Sequence, residues 1–184
     1  MDMERRLTAK KALCSTPLHK VLDFMLQHPE LELCDTEIAG QFNDVGKSAV
    51  NIALRKLAAA GLVGRTARGS MVLNRLIDSP LTAELRIASN LIALHPLIDR
   101  LSSLCIRIVL FGSRADGSHT SESDYDLYIV SSEEKSILGI IGKDVLAERI
   151  QPVIKTPEQA LSFDADEPAL SVEVKRGKVL WERK

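Results

Sequence analysis

The sequence predicts a protein of mixed α and β structure in two parts: three helices and a hairpin, then a small layered domain in which strands alternate with helices. Three observations lead to this reading. Apolar residues recur at helical spacing as far as about residue 60, short buried strands alternate with helical stretches from residue 106 onward, and charge is divided unequally between the parts. The 184 residues are 45% hydrophobic and 27% charged with a net charge of −1, which fits a folded chain of one ordinary domain or two small ones. Residues 1–75 hold 11 Lys/Arg against 8 Asp/Glu, whereas residues 76–184 hold 13 against 17. From Val45 to Arg75 there are six basic residues and no acid. The near-neutral total therefore hides a basic half and an acidic half.

In the first half, Pro17 suits a first helical turn, and Leu18, Val21, Leu22, Met25 and Leu26 keep the helical period up to His28-Pro29. Asp35 is placed to cap a short helix over Thr36–Phe42, with Ile38 and Ala39 inward. Lys47–Ala60 reads as a third helix ending at Gly61. Leu62-Val63 and Met71-Val72-Leu73 read as short strands flanking a loop over 64–70 that carries Arg65 and Arg68 at its tip. Ser79-Pro80 begins a connecting helix over Leu81–Leu94, interrupted at His95-Pro96. Its face Leu81, Leu85, Ala88 and Ile92 is either a homodimer seam or packs within the chain.

The second half alternates: strand Ile106–Phe111, a loop with a short helix over Gly112–Ser123, strand Tyr125–Val130, and helix Glu134–Arg149. Strand Pro152–Lys155 follows, then helices Thr156–Phe163 and Pro168–Arg176 and a last strand through Trp181. The domain boundaries fall at 1–78 and 79–184, with 79–103 as a connecting helical segment. Cys14, Cys34 and Cys105 are odd in number and widely spaced, a poor fit to disulfides or zinc and a better fit to buried free thiols in a reducing compartment. No apolar run approaches a membrane span, and the N-terminus lacks the apolar stretch of a secretory signal, so a cytoplasmic protein without membrane association is expected.

Two constellations point to chemistry. On the third helix, Val50, Leu54 and Leu57 form a core stripe, while Lys47, Asn51 and Arg55, with Ser48 beside them, form a cationic face without an acid. A major-groove helix needs such a face, with Arg and Lys for phosphate or guanine and Asn for adenine. Over about residues 15–75 the pattern resembles a winged helix-turn-helix of bacterial and archaeal transcription regulators. That resemblance implies double-stranded DNA as partner and Lys47, Ser48, Asn51, Arg55, Arg65 and Arg68 as its contacts. The plainer readings are an ordinary solvated helix face or a protein-contact module.

The second constellation is Val109-Leu110-Phe111-Gly112-Ser113-Arg114-Ala115-Asp116-Gly117, followed by Ser123-Asp124-Tyr125-Asp126-Leu127-Tyr128-Ile129-Val130. A strand delivers Gly-Ser to a turn, where Gly lets backbone approach a ligand. Asp124 and Asp126 lie two apart on a strand, so both carboxylates share one face while Tyr125 and Leu127 point into packing. Paired carboxylates repel unless a cation joins them, and hard oxygen ligands beside phosphates suit Mg2+. The Gly-Ser pair, a ten-residue spacer and the Asp-x-Asp strand closely resemble the nucleotidyltransferase superfamily that includes DNA polymerase beta, in its minimal form.

The resemblance covers roughly residues 80–184. It implies that Gly112, Ser113 and Arg114 hold the triphosphate of a nucleoside triphosphate and that Asp124 and Asp126 bind Mg2+. The reaction implied is transfer of a nucleoside monophosphate to a hydroxyl of a protein or small molecule, with loss of pyrophosphate. The family's third carboxylate belongs on the next core strand, about where Gln151 stands, with Glu148 three residues away. His119 reads as a solvated loop histidine or a phosphate contact, and Trp181 as a cover for the sheet. The enzyme reading, with the helix-turn-helix for targeting or autoregulation, competes with two others. One is a transcription regulator whose degenerate transferase domain senses a nucleotide, and the other an interaction module with neither site active.

Overall fold

The structure is a computed structural model that describes residues 12–13 and 15–183. Cys14 and the N-terminal hexapeptide lie outside the described residues. The fold is mixed α and β with two small sheets, and its contacts divide the chain into two compact units between Ser89 and Asn90.

In the first unit, α1 (Pro17–Gln27) starts behind Thr16, whose hydroxyl accepts from the His19 amide, with Pro17 in the first turn where no amide donor is missed. β1 (Leu33–Cys34) leads into α2 (Asp35–Ala39), and α3 (Lys47–Ala59) buries Val50, Ala53, Leu54 and Leu57. β2 (Val63–Arg68) and β3 (Met71–Leu76) form an antiparallel hairpin, and the sheet order is β1-β3-β2. Val21, Met25, Ile38, Val50, Leu54 and Leu76 meet in one core.

Two local expectations change here. The strands run to Arg68 and from Met71, so Arg65 lies within β2 opposite Asn74 instead of at a loop tip. Asp35 opens α2 instead of capping it. Cys34 takes the cap position, with its amide donating to Glu37 at 2.7 Å, and the Asp35 carboxylate is left for other partners.

The helix α4 (Pro80–Leu101) contains the point of division. Leu85 packs on the first core while Leu94, Leu97 and Leu101 enter the second; Leu81 and Ala88 are exposed and Ile92 is half-buried. The expected break at His95-Pro96 does not occur. Proline inside a helix costs roughly 3 kcal/mol, but the flanking Leu94, Leu97 and Leu101 are buried to 1% exposure or less. Each such leucine contributes roughly 1.5–3 kcal/mol, so packing wins.

The second sheet has the order β6-β5-β4-β7. β4 (Arg107–Phe111) pairs antiparallel with both β5 (Tyr125–Val130) and β7 (Lys178–Glu182), and β5 pairs parallel with β6 (Ile150–Lys155). Its strands alternate sides. Ile108, Leu110, Leu127 and Ile129 join α4 and α6 (Glu134–Ile141) in one core, whereas Val109, Phe111, Tyr128 and Val130 meet Phe163 and Val174 in another. These last two residues come from α7 (Pro157–Asp166) and α8 (Pro168–Arg176), so both faces of the sheet are covered.

α6 stops at Ile141, eight residues short of the expectation. Gly142 follows, and the Asp144 carboxylate accepts from the Leu146 amide at 2.9 Å to hold a turn before a 3-10 segment over Ala147–Arg149. Val145, apolar and in helical register by sequence, is 98% exposed. β7 is an edge strand, and Trp181 on it stays 38% exposed. Cys34 and Cys105 are free thiols, and burial pushes Cys105 up to about 11, which keeps it an inert thiol. No helix among the described residues is long and apolar enough to cross a membrane.

Candidate functional site

The end of β4 turns sharply at Gly112, with φ 70° and ψ −161°, into the four-residue helix α5 (Ser113–Asp116). Only glycine adopts that conformation readily. A Cβ there would also lie 2.6 Å from Asp126 Oδ2, so the turn passes directly over the carboxylate. Phe111 is the register partner of Asp126 on the neighbouring strand, and this pairing brings Gly-Ser and the aspartates together. Asp126 on β5 and Asp124, which immediately precedes the strand, are half-buried, while Tyr125 and Leu127 are buried, at 2% and 0% exposure. Among the described residues neither carboxylate has a hydrogen-bonding side-chain or backbone partner. Burial pushes the Asp126 carboxyl above its usual range, and the negative charges of Asp124 and Glu173 push it further.

Gln151 lies on β6 in direct register with Asp126, and its side chain is exposed. An amide therefore occupies the strand position beside the aspartate pair, while Glu148 sits in the preceding 3-10 segment, exposed. Among the described residues no three His, Cys, Asp or Glu side chains converge as a metal cage. Mg2+ does not require one: it is commonly held by one or two carboxylates, with water and substrate phosphates completing the shell. Two unpartnered carboxylates whose mutual repulsion raises a pKa fit that ion.

Arg114, expected at the phosphates, is instead fully buried. Its Nε donates to Ser123 O at 3.0 Å, its Nη1 to Asn90 Oδ1 at 2.9 Å, and its guanidinium lies 4.1 Å over the Tyr125 ring. Asn90 Nδ2 donates in return to Arg114 O at 2.9 Å and lies 3.3 Å from Nδ1 of His119, which is 1% exposed and not solvated. From the other side Arg149 donates to Ser123 O at 2.9 Å and to Ser121 O. Together they brace the loop that joins the Gly-Ser turn to the aspartate strand. A buried arginine needs partners, and the Ser123 carbonyl, the Asn90 side chain and the Tyr125 ring supply them.

A cavity of about 290 Å3 opens beside the turn, with Gly112, Ser113 and Ser118 on one side and Glu173, Arg176 and Gly177 on the other. Sequence reading missed the contribution of α8. A helix followed by a strand was legible, but not that this strand returns antiparallel beside β4 and sets the helix end next to Gly112.

In the first unit Lys47, Ser48 and Arg55 of α3 are exposed, as is Arg68, which is 3.4 Å from Glu32. Asn51 and Arg65 are engaged elsewhere. Asn51 donates to Asp35, Arg65 Nη2 lies 3.2 Å from both Asp35 oxygens, and the fully buried Asn74 donates to Oδ1 at 2.9 Å. Burial alone would raise the Asp35 carboxyl, but the bonds from Asn51 and Asn74 and the charge of Arg65 outweigh it and hold it below its usual range.

Residues 101–184 match the protein family described as Polymerase beta, Nucleotidyltransferase (Polbeta), less than half of the 184-residue chain. That stretch, which holds the whole Gly-Ser and aspartate arrangement, is similar to a nucleotidyltransferase domain. No curated protein matches the chain.

Proposed function

We propose that the second unit is a Mg2+-dependent nucleotidyltransferase that moves a nucleoside monophosphate from a nucleoside triphosphate to a hydroxyl of a protein or small molecule. The observation that carries this is the Gly112 turn seated on Asp126, with Asp124 close enough for its charge to act on Asp126. Mg2+ bound there would neutralise phosphate charge and polarise the phosphorus. The chain's own work is positioning. Gly112 lets the backbone come close, Ser113 offers a hydroxyl, and Asp124 and Asp126 hold their charge where the cation is needed. The acceptor oxygen bonds to the α-phosphorus as the bond from that phosphorus to the bridging oxygen breaks. Pyrophosphate leaves with the electron pair, and the hydroxyl proton passes to solvent, because the Gln151 amide cannot accept it.

The test is pyrophosphate release and label transfer from labelled nucleoside triphosphate with Mg2+, across protein and small-molecule acceptors. Both are expected for the wild type and lost in Asp124→Ala and Asp126→Ala. Activity that survives in both variants would sink the assignment. A second reading has its own support: with Gln151 in register beside Asp126, the domain holds a nucleotide without turning it over and acts as a sensor. Saturable Mg2+–nucleotide binding without pyrophosphate release would favour it.

For the first unit we propose a winged helix that binds double-stranded DNA. Its support is the order of three helices followed by a hairpin, the sheet β1-β3-β2, and the exposed Lys47, Ser48, Arg55 and Arg68. In this reading Asn51 and Arg65 act indirectly, by tying α3 and β2 to Asp35. A salt-dependent gel shift tests it, and no shift at low salt would overturn it.

A further inference from the structure

The nucleotide reading leaves the negative charge of a polyphosphate poorly answered at the Gly112–Ser113 turn. Arg114, the cation nearest in sequence, faces inward and is fully buried. The cavity beside the turn is lined by two acids, Asp116 and Glu173, and by one cation, Arg176. Arg176 sits in the last turn of α8, and the packing of that helix end is tight. A Cβ at Gly177 would lie 2.4 Å from Leu110 O and 2.7 Å from Val109 Cγ1, so only glycine lets the helix end abut β4 there, two residues before Gly112. Ser171 and Val174 are the buried residues of α8 and anchor its inner face. Glu173 and Arg176, three apart and so on neighbouring positions of one face, are exposed and line the cavity.

The two adjacent cations of this turn differ in their engagement. Lys175 Nζ bonds Asp164 at 2.6 Å, whereas Arg176 has no hydrogen bond or ion pair among the described residues. A guanidinium presents a planar fork that matches phosphate oxygens, so an unengaged arginine across a cavity from a serine turn has the chemistry of a phosphate clamp. We propose that Arg176 binds the polyphosphate chain of a nucleoside triphosphate lying along the Gly112–Ser113 turn. α8 thereby supplies the cation that the buried Arg114 does not. This rests on the nucleotide reading of the same site.

Binding to the full chain is measured by calorimetry with Mg2+ and two probes, inorganic tripolyphosphate and a non-hydrolysable ATP analogue. Arg176→Ala is expected to weaken both by about 10- to 100-fold, the loss of one or two charge-assisted hydrogen bonds. Arg176→Lys should fall between, because it keeps the charge and loses the fork, and Lys175→Ala should bind as the wild type does. Melting temperatures near the wild-type value establish that the exposed position leaves folding intact. Equal affinity of Arg176→Ala and wild type would overturn the role of Arg176 and leave the nucleotide reading standing. Equal losses in Arg176→Ala and Lys175→Ala would overturn it in favour of unspecific attraction. Failure of the wild type to bind either probe would overturn the nucleotide reading and this inference with it.

Discussion

Asp35 in the first unit and Asp126 in the second are both partly buried aspartates beside or within a small sheet, and they end in opposite states. Asp35 accepts hydrogen bonds from Asn51, Asn74 and Arg65, and its carboxyl is held below the usual range. Asp126 accepts none among the described residues, faces the negative charges of Asp124 and Glu173, and is pushed above that range. The first is a completed internal knot whose donors came from the chain. The second is a charge concentration with no compensating partner among the described residues, an arrangement that a bound cation would relieve. The contrast also separates polar residues that look alike in sequence. Asn51 and Arg65 hold the fold, while Lys47 and Arg55, on the same helix as Asn51, are exposed.

The largest expected effect comes from Gly112→Ala. The backbone there costs a non-glycine residue roughly 1–3 kcal/mol, and the new Cβ would press on Asp126 Oδ2 at 2.6 Å. Overpacking of that kind adds roughly 1–3 kcal/mol. Urea denaturation should show a loss of about 2–6 kcal/mol, together with loss of Mg2+–nucleotide binding. A loss under about 1 kcal/mol would mean that the turn does not ride on the aspartate.

Asp35 and Asp126 can then be compared directly. Asp35→Ala takes one acceptor from the fully buried Asn74, which keeps the Leu33 carbonyl, and takes the carboxylate from Asn51 and the Arg65 guanidinium, a cost of about 2–4 kcal/mol at neutral pH. Asp126→Asn removes repulsion, and should cost nothing or stabilise by about 1 kcal/mol or less. Their pH dependences have opposite signs. The folded-state value of Asp35 lies below the usual 3.8, so its contribution is full above that value and is lost as pH falls through the lowered one. The gap between wild type and Asp35→Asn should close in acid. The folded-state value of Asp126 lies above 3.8, so its cost is absent below that value and grows as pH rises through the raised one. The advantage of Asp126→Asn should therefore appear towards neutrality and fade in acid. Urea midpoints between about pH 3 and 7 read both, and Mg2+ should stabilise the wild type alone.

A smaller effect is expected at Gln151. Gln151→Glu would place a third carboxylate in register with Asp126. If the missing acid limits turnover, pyrophosphate release should rise about tenfold, short of the roughly 100- to 10,000-fold of a well-positioned proton acceptor because the Gln151 position is exposed. A rise in nucleotide affinity without any release would instead identify a domain that binds and does not turn over.

Much of the second unit was legible because its signals are local. Tyr125–Val130 alternates between two buried faces, so the strand was legible from period two, although Asp124 lies just before it. Gly112 was legible as a backbone requirement, but its reason, the carboxylate beneath it, was not. What escaped was long-range. Arg114 is buried because Asn90 and the Ser123 carbonyl meet it, and Arg176 reaches the turn because β7 returns beside β4. Likewise, Asn51 and Arg65 share a helical or hairpin face with surface cations, and only the fold brings Asp35 to them. Pro96 was read by its local penalty, while three buried leucines decided the outcome.

The smallest stability effects belong to the exposed cations of the first unit, and they sharpen the comparison most. Lys47→Ala, Arg55→Ala and Arg68→Ala touch exposed side chains and should each change stability by about 0.5 kcal/mol or less. If this surface meets double-stranded DNA, each phosphate contact removed lowers the slope of log affinity against log salt by about 0.9. Asn51→Ala should behave in the reverse way, lowering stability through the loss of its bond to Asp35 while leaving the salt slope unchanged. Gel shifts from about 50 to 200 mM salt, run beside urea melts of the same variants, separate the two classes. Should Asn51→Ala lower the slope as Lys47→Ala does, Asn51 would belong to the interface instead of to the Asp35 knot. Should no cation variant change it, the basic face would be a solvated surface.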